Sequence, residues 1–227
     1  VNSDRSTFLI RSADVSIDVR EDTKLYPGNG IILQMADNDD ELVGVNPETR
    51  CVFNTKYTEP EGWPSENHSV TNASSGKQVT FSASGVELEG DLYNGTGYYG
   101  KPAHDLQVTL ETGAYLRGAI SATETHHVDE FGNQKASFTS EEYYYIGSVA
   151  NRPYFNGYNT VGVTLKGDAC WIVTSDSHLS DLLMMDSSRL ETVPGYELTA
   201  FVDDVPVELE WNRVYRGHIL IRVTPAS

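Results

Sequence analysis

Apolar and polar residues alternate in short runs along most of this chain. Phe8 and Ile10, then Val15, Ile17 and Val19, fall on one side of an extended backbone with polar residues between them. Ile31-Ile32-Leu33-Gln34-Met35 is apolar on both sides and reads as a buried strand. Strand signals return at Val79-Thr80-Phe81, Val108-Thr109-Leu110 and Val163-Thr164-Leu165, three copies of one core. At the offset that joins the last two, Ala114 meets Ala169, Leu116 meets Trp171 and Gly113 meets Asp168. At about half that offset, Val86-Glu87-Leu88-Glu89-Gly90 lies against Ala114-Tyr115-Leu116-Arg117-Gly118. A unit of roughly 25–30 residues therefore recurs, sometimes carrying an insertion.

Turn signals recur with the strands. Asn94-Gly95, inside the stretch Gly90–Gly100, predicts a strand end running into a tight turn, and Leu25–Gly30 and Tyr154–Asn159 echo it with aromatic company. No helical period separates consecutive strands, which argues against alternating β and α units. Short strands stacked at this period predict an all-β fold, a parallel β-helix of some six to eight irregular rungs. A β-sandwich is the alternative, since many short strands are its signature too. The body is expected over residues 1–194, with excursions near 42–76 and 123–140 where the period breaks and Pro and Gly collect. From Pro194-Gly195 onward three alternating segments predict a small β-meander over 195–227, capping the open end of the stack.

Composition narrows the class of partner. The net charge is −17, from 16 basic and 33 acidic residues. Such a surface repels nucleic acid and anionic lipid, and no apolar run is long enough to insert into a bilayer. Two cysteines, Cys51 and Cys170, form neither a disulfide scaffold nor a zinc site, and their separation leaves open whether they pair. Beginning at Val1 with no signal peptide, the chain reads as a mature or excised piece.

Few residues group in a way that suggests chemistry. Asp37, Asp39, Asp40 and Glu41 offer the hard oxygen donors of a calcium loop, and calcium is the one cofactor the sequence suggests. The same run, lacking the order of an EF-hand, also reads as a solvated acidic loop. His126-His127 with Asp129 and Glu130 is the sole histidine cluster, but adjacent residues of a strand point to opposite sides and rarely share one metal. Glu87, Glu89, Asp91 and Asp105, with Lys101 and Arg117, are the carboxylates and bases a polysaccharide lyase or glycoside hydrolase would draw on, yet they form no recognisable motif. There is neither a nucleophile elbow nor a phosphate-cradling loop. Tyrosines are the richer signal. Tyr93, Tyr98, Tyr99, Tyr115, Tyr144 and Tyr158 gather around the recurring turns, where stacking would set them in a row suited to glycan or protein recognition. The competing reading is that some of them fill the core.

The stretch Leu92–Gly100 resembles a group of bacterial surface proteins, the adhesin-like, pectin-lyase-like parallel β-helices of Gram-positive gut bacteria. Gly30–Asp40, Glu59–Pro64, Leu116–Ser121 and Ala169–Val173 carry the same likeness, over most of residues 6–190. The resemblance implies a right-handed β-helix and an extracellular or bacterial cell-surface location, and it brings no catalytic residues to transfer. The function expected is that of a non-catalytic binding module of a secreted or cell-surface protein. It would present an elongated face to a host glycan or host protein, such as a mucosal glycoprotein or an immunoglobulin. A polysaccharide lyase or glycoside hydrolase is the alternative.

Overall fold

The computed structural model describes residues 1–11, 13–36, 43–45, 51–54, 77–96, 104–129, 131–133, 137–139, 148–155, 159–185 and 187–226. Among these residues every regular element is a strand. In chain order they are β1 (Asn2–Ser3), β2 (Phe8–Arg11), β3 (Val15–Val19), β4 (Tyr26–Pro27), β5 (Ile31–Ala36), β6 (Val43–Val45) and β7 (Cys51–Asn54). There follow β8 (Lys77–Ala83), β9 (Glu87–Glu89), β10 (Asp91–Thr96), β11 (His104–Leu110), β12 (Tyr115–Arg117), β13 (Ile120–His127), β14 (Ser137–Thr139) and β15 (Val149–Pro153). The last are β16 (Val161–Leu165), β17 (Cys170–Val173), β18 (Ser177–Met184), β19 (Arg189–Thr192), β20 (Tyr196–Val202), β21 (Val205–Val207) and β22 (Val214–Pro225).

Three sheets carry most of these strands. Sheet I has the order β15-β13-β10-β5-β2, sheet II the order β21-β20-β22-β18-β16-β11-β8-β3, and sheet III the order β19-β17-β12-β9. The chain visits them in rotation: β8, β9 and β10 lie in II, III and I, and β11, β12 and β13 repeat that order. Neighbours from successive visits pair in parallel, β8 with β11, β9 with β12 and β10 with β13. The offsets expected from the sequence are the observed registers. Arg117 meets Glu89 across a separation of 28, and Thr160 meets Asp105 across 55. The short sheets β1-β4 and β14-β7-β6 stand apart from this rotation.

Parallel register turns sequence periodicity into columns of like side chains. Ile17, Phe81, Val108, Val163 and Leu182 follow one another across sheet II. Val19, Ala83, Leu110, Leu165 and Met184 form the column beside them. In sheet III the column is Leu88, Leu116, Trp171 and Leu190. All of these but Leu190 are buried, and Leu190 packs against them. Each large buried side chain contributes about 1.5–3 kcal/mol relative to exposure. The alternating polar residues, among them Ser16, Thr80, Gln107 and Thr109, face outward.

The corners differ in length. From sheet II to sheet III the connections are residues 84–86, 111–114, 166–169 and 185–188. Among the described residues each holds one with a left-handed backbone: Gly85, Gly113, Gly167 and Ser187. From sheet I to sheet II the connections are residues 12–14, 37–76, 97–103 and 154–160; β6 and β7 occur within the second, and β14 between β13 and β15 of sheet I.

Two expectations meet a different outcome. Asn94-Gly95 is no turn, since β10 runs through both residues. Asn94 is fully buried with its side-chain amide donating to the carbonyl of Thr160 at 2.8 Å. A Cβ on Gly95 would overlap the Thr125 hydroxyl and approach the Met35 carbonyl at 2.9 Å, so glycine stands there for lack of space. The end segments are more entwined than a separate cap implies. β22 pairs antiparallel with β18 and β20 with β22, so both strands extend sheet II. Asp203-Asp204, at φ 49° and 65°, forms the tight turn between β20 and β21. β21 is the edge strand, and Pro206 in its middle has no N–H to offer a further strand.

Candidate functional site

The outer face of sheet III forms the floor of an open groove of about 980 Å³. The turn from Asp22 to Pro27 makes one wall, and Gly90, Asp91 and Gly118 close the side toward sheet I. Strand alternation determines what reaches the floor. Leu88 and Leu116 point inward, so Glu87, Glu89, Tyr115 and Arg117 point outward. Parallel pairing then sets Tyr115 beside Glu87 and Arg117 beside Glu89, one strand spacing apart.

Two of the floor's polar groups engage each other, and Asp91 beside them is held from behind. Arg117 Nη1 donates to Glu89 Oε1 at 2.5 Å. Both side chains are well exposed, so this pair contributes at most about 1 kcal/mol to stability. Asp91 Oδ1 accepts the N–H of Ala119 at 2.7 Å, and its Oδ2 accepts the Tyr93 hydroxyl at 2.9 Å. Burial, with the Asp91 charge and hydrogen bond adding to it, pushes the Tyr93 phenol far above its usual range. Tyr93 is therefore a neutral hydrogen-bond donor anchoring Asp91. At the rim Tyr26 is 56% exposed. The arrangement offers carboxylates, a guanidinium and tyrosine rings at ladder spacing.

Of the residues singled out from the sequence, Tyr115 lies in the groove, and Tyr93 sits behind it through Asp91. Glu87, Glu89, Asp91 and Arg117 also come together there. Asp105 does not: it lies on β11 in sheet II and accepts the Thr160 hydroxyl at 2.5 Å. Tyr98, Tyr99, Tyr144, Tyr158, Lys101 and the acidic run Asp37, Asp39, Asp40 and Glu41 lie outside the described residues. No group of three or more His, Cys, Asp or Glu side chains able to hold a metal occurs among the described residues. His126 instead faces Glu124 at 3.5 Å, and Asp129 binds back to the N–H groups of Phe131 and Asn133 in its own turn. Cys170 is a buried free thiol, and burial, then Glu191, pushes it up against the opposing pull of Arg189. The sulfur of Cys51 is outside the described side chains.

Two features had no signal in the sequence. One is the placement of the expected Leu25–Gly30 turn, with Asp22–Lys24 before it, as a wall of the groove, since its partners there are distant in the chain. The other is a polar network beside sheet I. Asn151 Oδ1 accepts from Gln34 Nε2 at 3.2 Å, Thr123 Oγ1 at 2.9 Å and Thr125 Oγ1 at 2.8 Å, while its amide donates to Gln34 Oε1 at 2.6 Å. Gln34, Thr123 and Thr125 are buried. Asn151→Ala strands these groups and is expected to cost about 2 kcal/mol, read as a lower urea midpoint at unchanged slope. No protein family, curated protein or solved structure matches the chain.

Proposed function

We propose that this chain is a non-catalytic, adhesin-like binding module of a secreted or cell-surface bacterial protein, and that it holds an extended host glycan in the groove over sheet III. In this reading the body, residues 1–194, is a right-handed parallel β-helix, and residues 195–227 close its end. The repeated II–III–I order of parallel strands supports the first part. The observation that carries the second is the groove itself, open along its length, with tyrosine at rim and floor and polar side chains at strand spacing. Sugars are bound by such surfaces, an aromatic face against C–H groups and fixed polar groups against hydroxyls.

The non-catalytic reading rests on two of the groove carboxylates, Glu89 and Asp91, being occupied beside Glu87. Glu89 is held by Arg117, and Asp91 already accepts two hydrogen bonds. A glycosidase needs one carboxyl free to ionise against another. The test is a glycan array run beside capture of a mucosal glycoprotein and an immunoglobulin. Tyr26→Ala is expected to weaken binding of the glycan hit about tenfold, with melting temperature unchanged. Undiminished binding by that variant would remove the groove from the proposal. Turnover of any arrayed polysaccharide would overturn the non-catalytic assignment.

A further inference from the structure

Two histidines meet across the seam between β18 and β22. His178 Nδ1 stands 2.7 Å from His218 Nε2. The ring planes differ by 12° with centroids 5.0 Å apart, so the rings lie nearly edge to edge. Phe155 stacks on His218 at 4.8 Å and 1°. The backbone holds the pair in place. Ser121 Oγ accepts the N–H of His178 and Asp203 Oδ1 accepts the N–H of His218, each at 2.9 Å.

A contact of this kind needs one N–H and one lone pair. With a single proton between the facing nitrogens it is a hydrogen bond, and one further proton, placed on an outer nitrogen, leaves it intact. A second further proton puts N–H against N–H and charge against charge at the same separation. The surroundings do not relieve that conflict evenly. Asp176 leads into β18 and draws protons toward His178, but its Oδ1 already accepts the N–H of Val223 at 2.9 Å. Arg222 on β22 opposes it. β16 carries no ionisable side chain, and β20 adds only Tyr196 and Glu197, opposite Pro225 and Thr224 at the far end of the strand. On β13, Glu124 and His126 pair with each other, and Glu124 with Arg152. Asp203 presents its carboxylate at the backbone of His218.

We propose that the His178–His218 pair is an acid-sensitive clasp, which holds the β20–β22 segment against β18 when neutral or singly charged and releases it when both rings are charged. Beneath the seam lie Leu179, Leu182, Ile219 and Ile221, all fully buried, so release uncovers core. Burial and then the facing ring hold the His178 imidazole below its usual range, consistent with this geometry. The unfolded chain binds protons at both histidines from about pH 6.5 downward, while the folded pair resists the second. Its contribution to stability is therefore complete above that pH and is lost as pH falls from there toward the lowered folded value.

The test compares the full chain with His178→Gln, which keeps a hydrogen-bonding side chain and cannot titrate. Between pH 7.5 and 5 the melting temperature of the parent is expected to fall about 2–4 °C further than that of H178Q. Amide exchange in β18 and β22 should accelerate on acidification in the parent and much less in the variant. Parallel melting curves would overturn the clasp. If H178Q fails to fold, imidazole titration of the parent by NMR decides: a pair taking its second proton well below pH 6.5 supports the clasp, and two independent titrations near 6.5 sink it.

Discussion

Trp171→Ala will lower stability by about 3–5 kcal/mol and the melting temperature by roughly 6–20 °C. Trp171 is the largest fully buried side chain among the described residues. It stands in the sheet III column between Leu116 and Leu190. Its indole N–H donates to the carbonyl of Gly118 at 2.8 Å, at the corner where sheet III hands over to sheet I. The substitution removes the ring and strands that carbonyl. Trp171→Phe keeps most of the volume and loses only the hydrogen bond, so about 1–2 kcal/mol is expected from it. Thermal unfolding followed by circular dichroism separates the two. Equal losses would mean that the hydrogen bond, and not the volume, dominates at this position.

The second large effect is expected at Gly118, and its cause is space. A Cβ there would overlap the carbonyl oxygen of Gly90 and lie 2.6 Å from its carbonyl carbon. Those atoms belong to the backbone of the adjoining turn, so no side chain can swing away. The same corner is bound on both sides, by Gly90 N to Arg117 O at 2.9 Å and by Gly118 N to Ile172 O at 3.0 Å. Gly118→Ala must push successive turns apart and is expected to cost about 3 kcal/mol. The measurement is the urea midpoint at constant slope. A shift under 0.5 kcal/mol, the size of an ordinary surface change, would show that the corner yields more easily than its hydrogen bonds suggest.

What could be read from the residues was whatever parallel stacking repeats. Val108 and Val163 carry the same letter because they occupy the same place in one column, and their offset is a register. Leu116 and Trp171 were paired on the same ground. The groove floor followed in part, since Val86–Gly90 and Ala114–Gly118 were aligned from the residues, and that alignment is the register that sets Tyr115 beside Glu87 and Arg117 beside Glu89. Asn94-Gly95 misled because an Asn-Gly pair signals a turn only where the chain is free to reverse. Here a buried amide and a missing side chain serve the interior of a strand. The Gln34–Asn151 contact spans 117 residues and the histidine pair 40, and neither follows the repeat. Polar residues in a strand look outward-facing until a second segment covers them.

The unequal corners bear on how such a chain can change over generations. The passages from sheet II to sheet III stay short, each with a left-handed residue among those described, and the floor of the groove depends on them. The passages from sheet I to sheet II range from the three positions 12–14, through the seven of 97–103 and of 154–160, to the long stretch 37–76. Lengthening a connection costs little once its ends are fixed, about 0.6 kcal/mol for each doubling. Mutation can therefore insert or delete chain at this one edge while the columns of the other two sheets keep their alignment. The molecule has a fixed ruler on one flank and a place for novelty on the other, which makes the I-to-II passages the natural sites for grafting a foreign peptide.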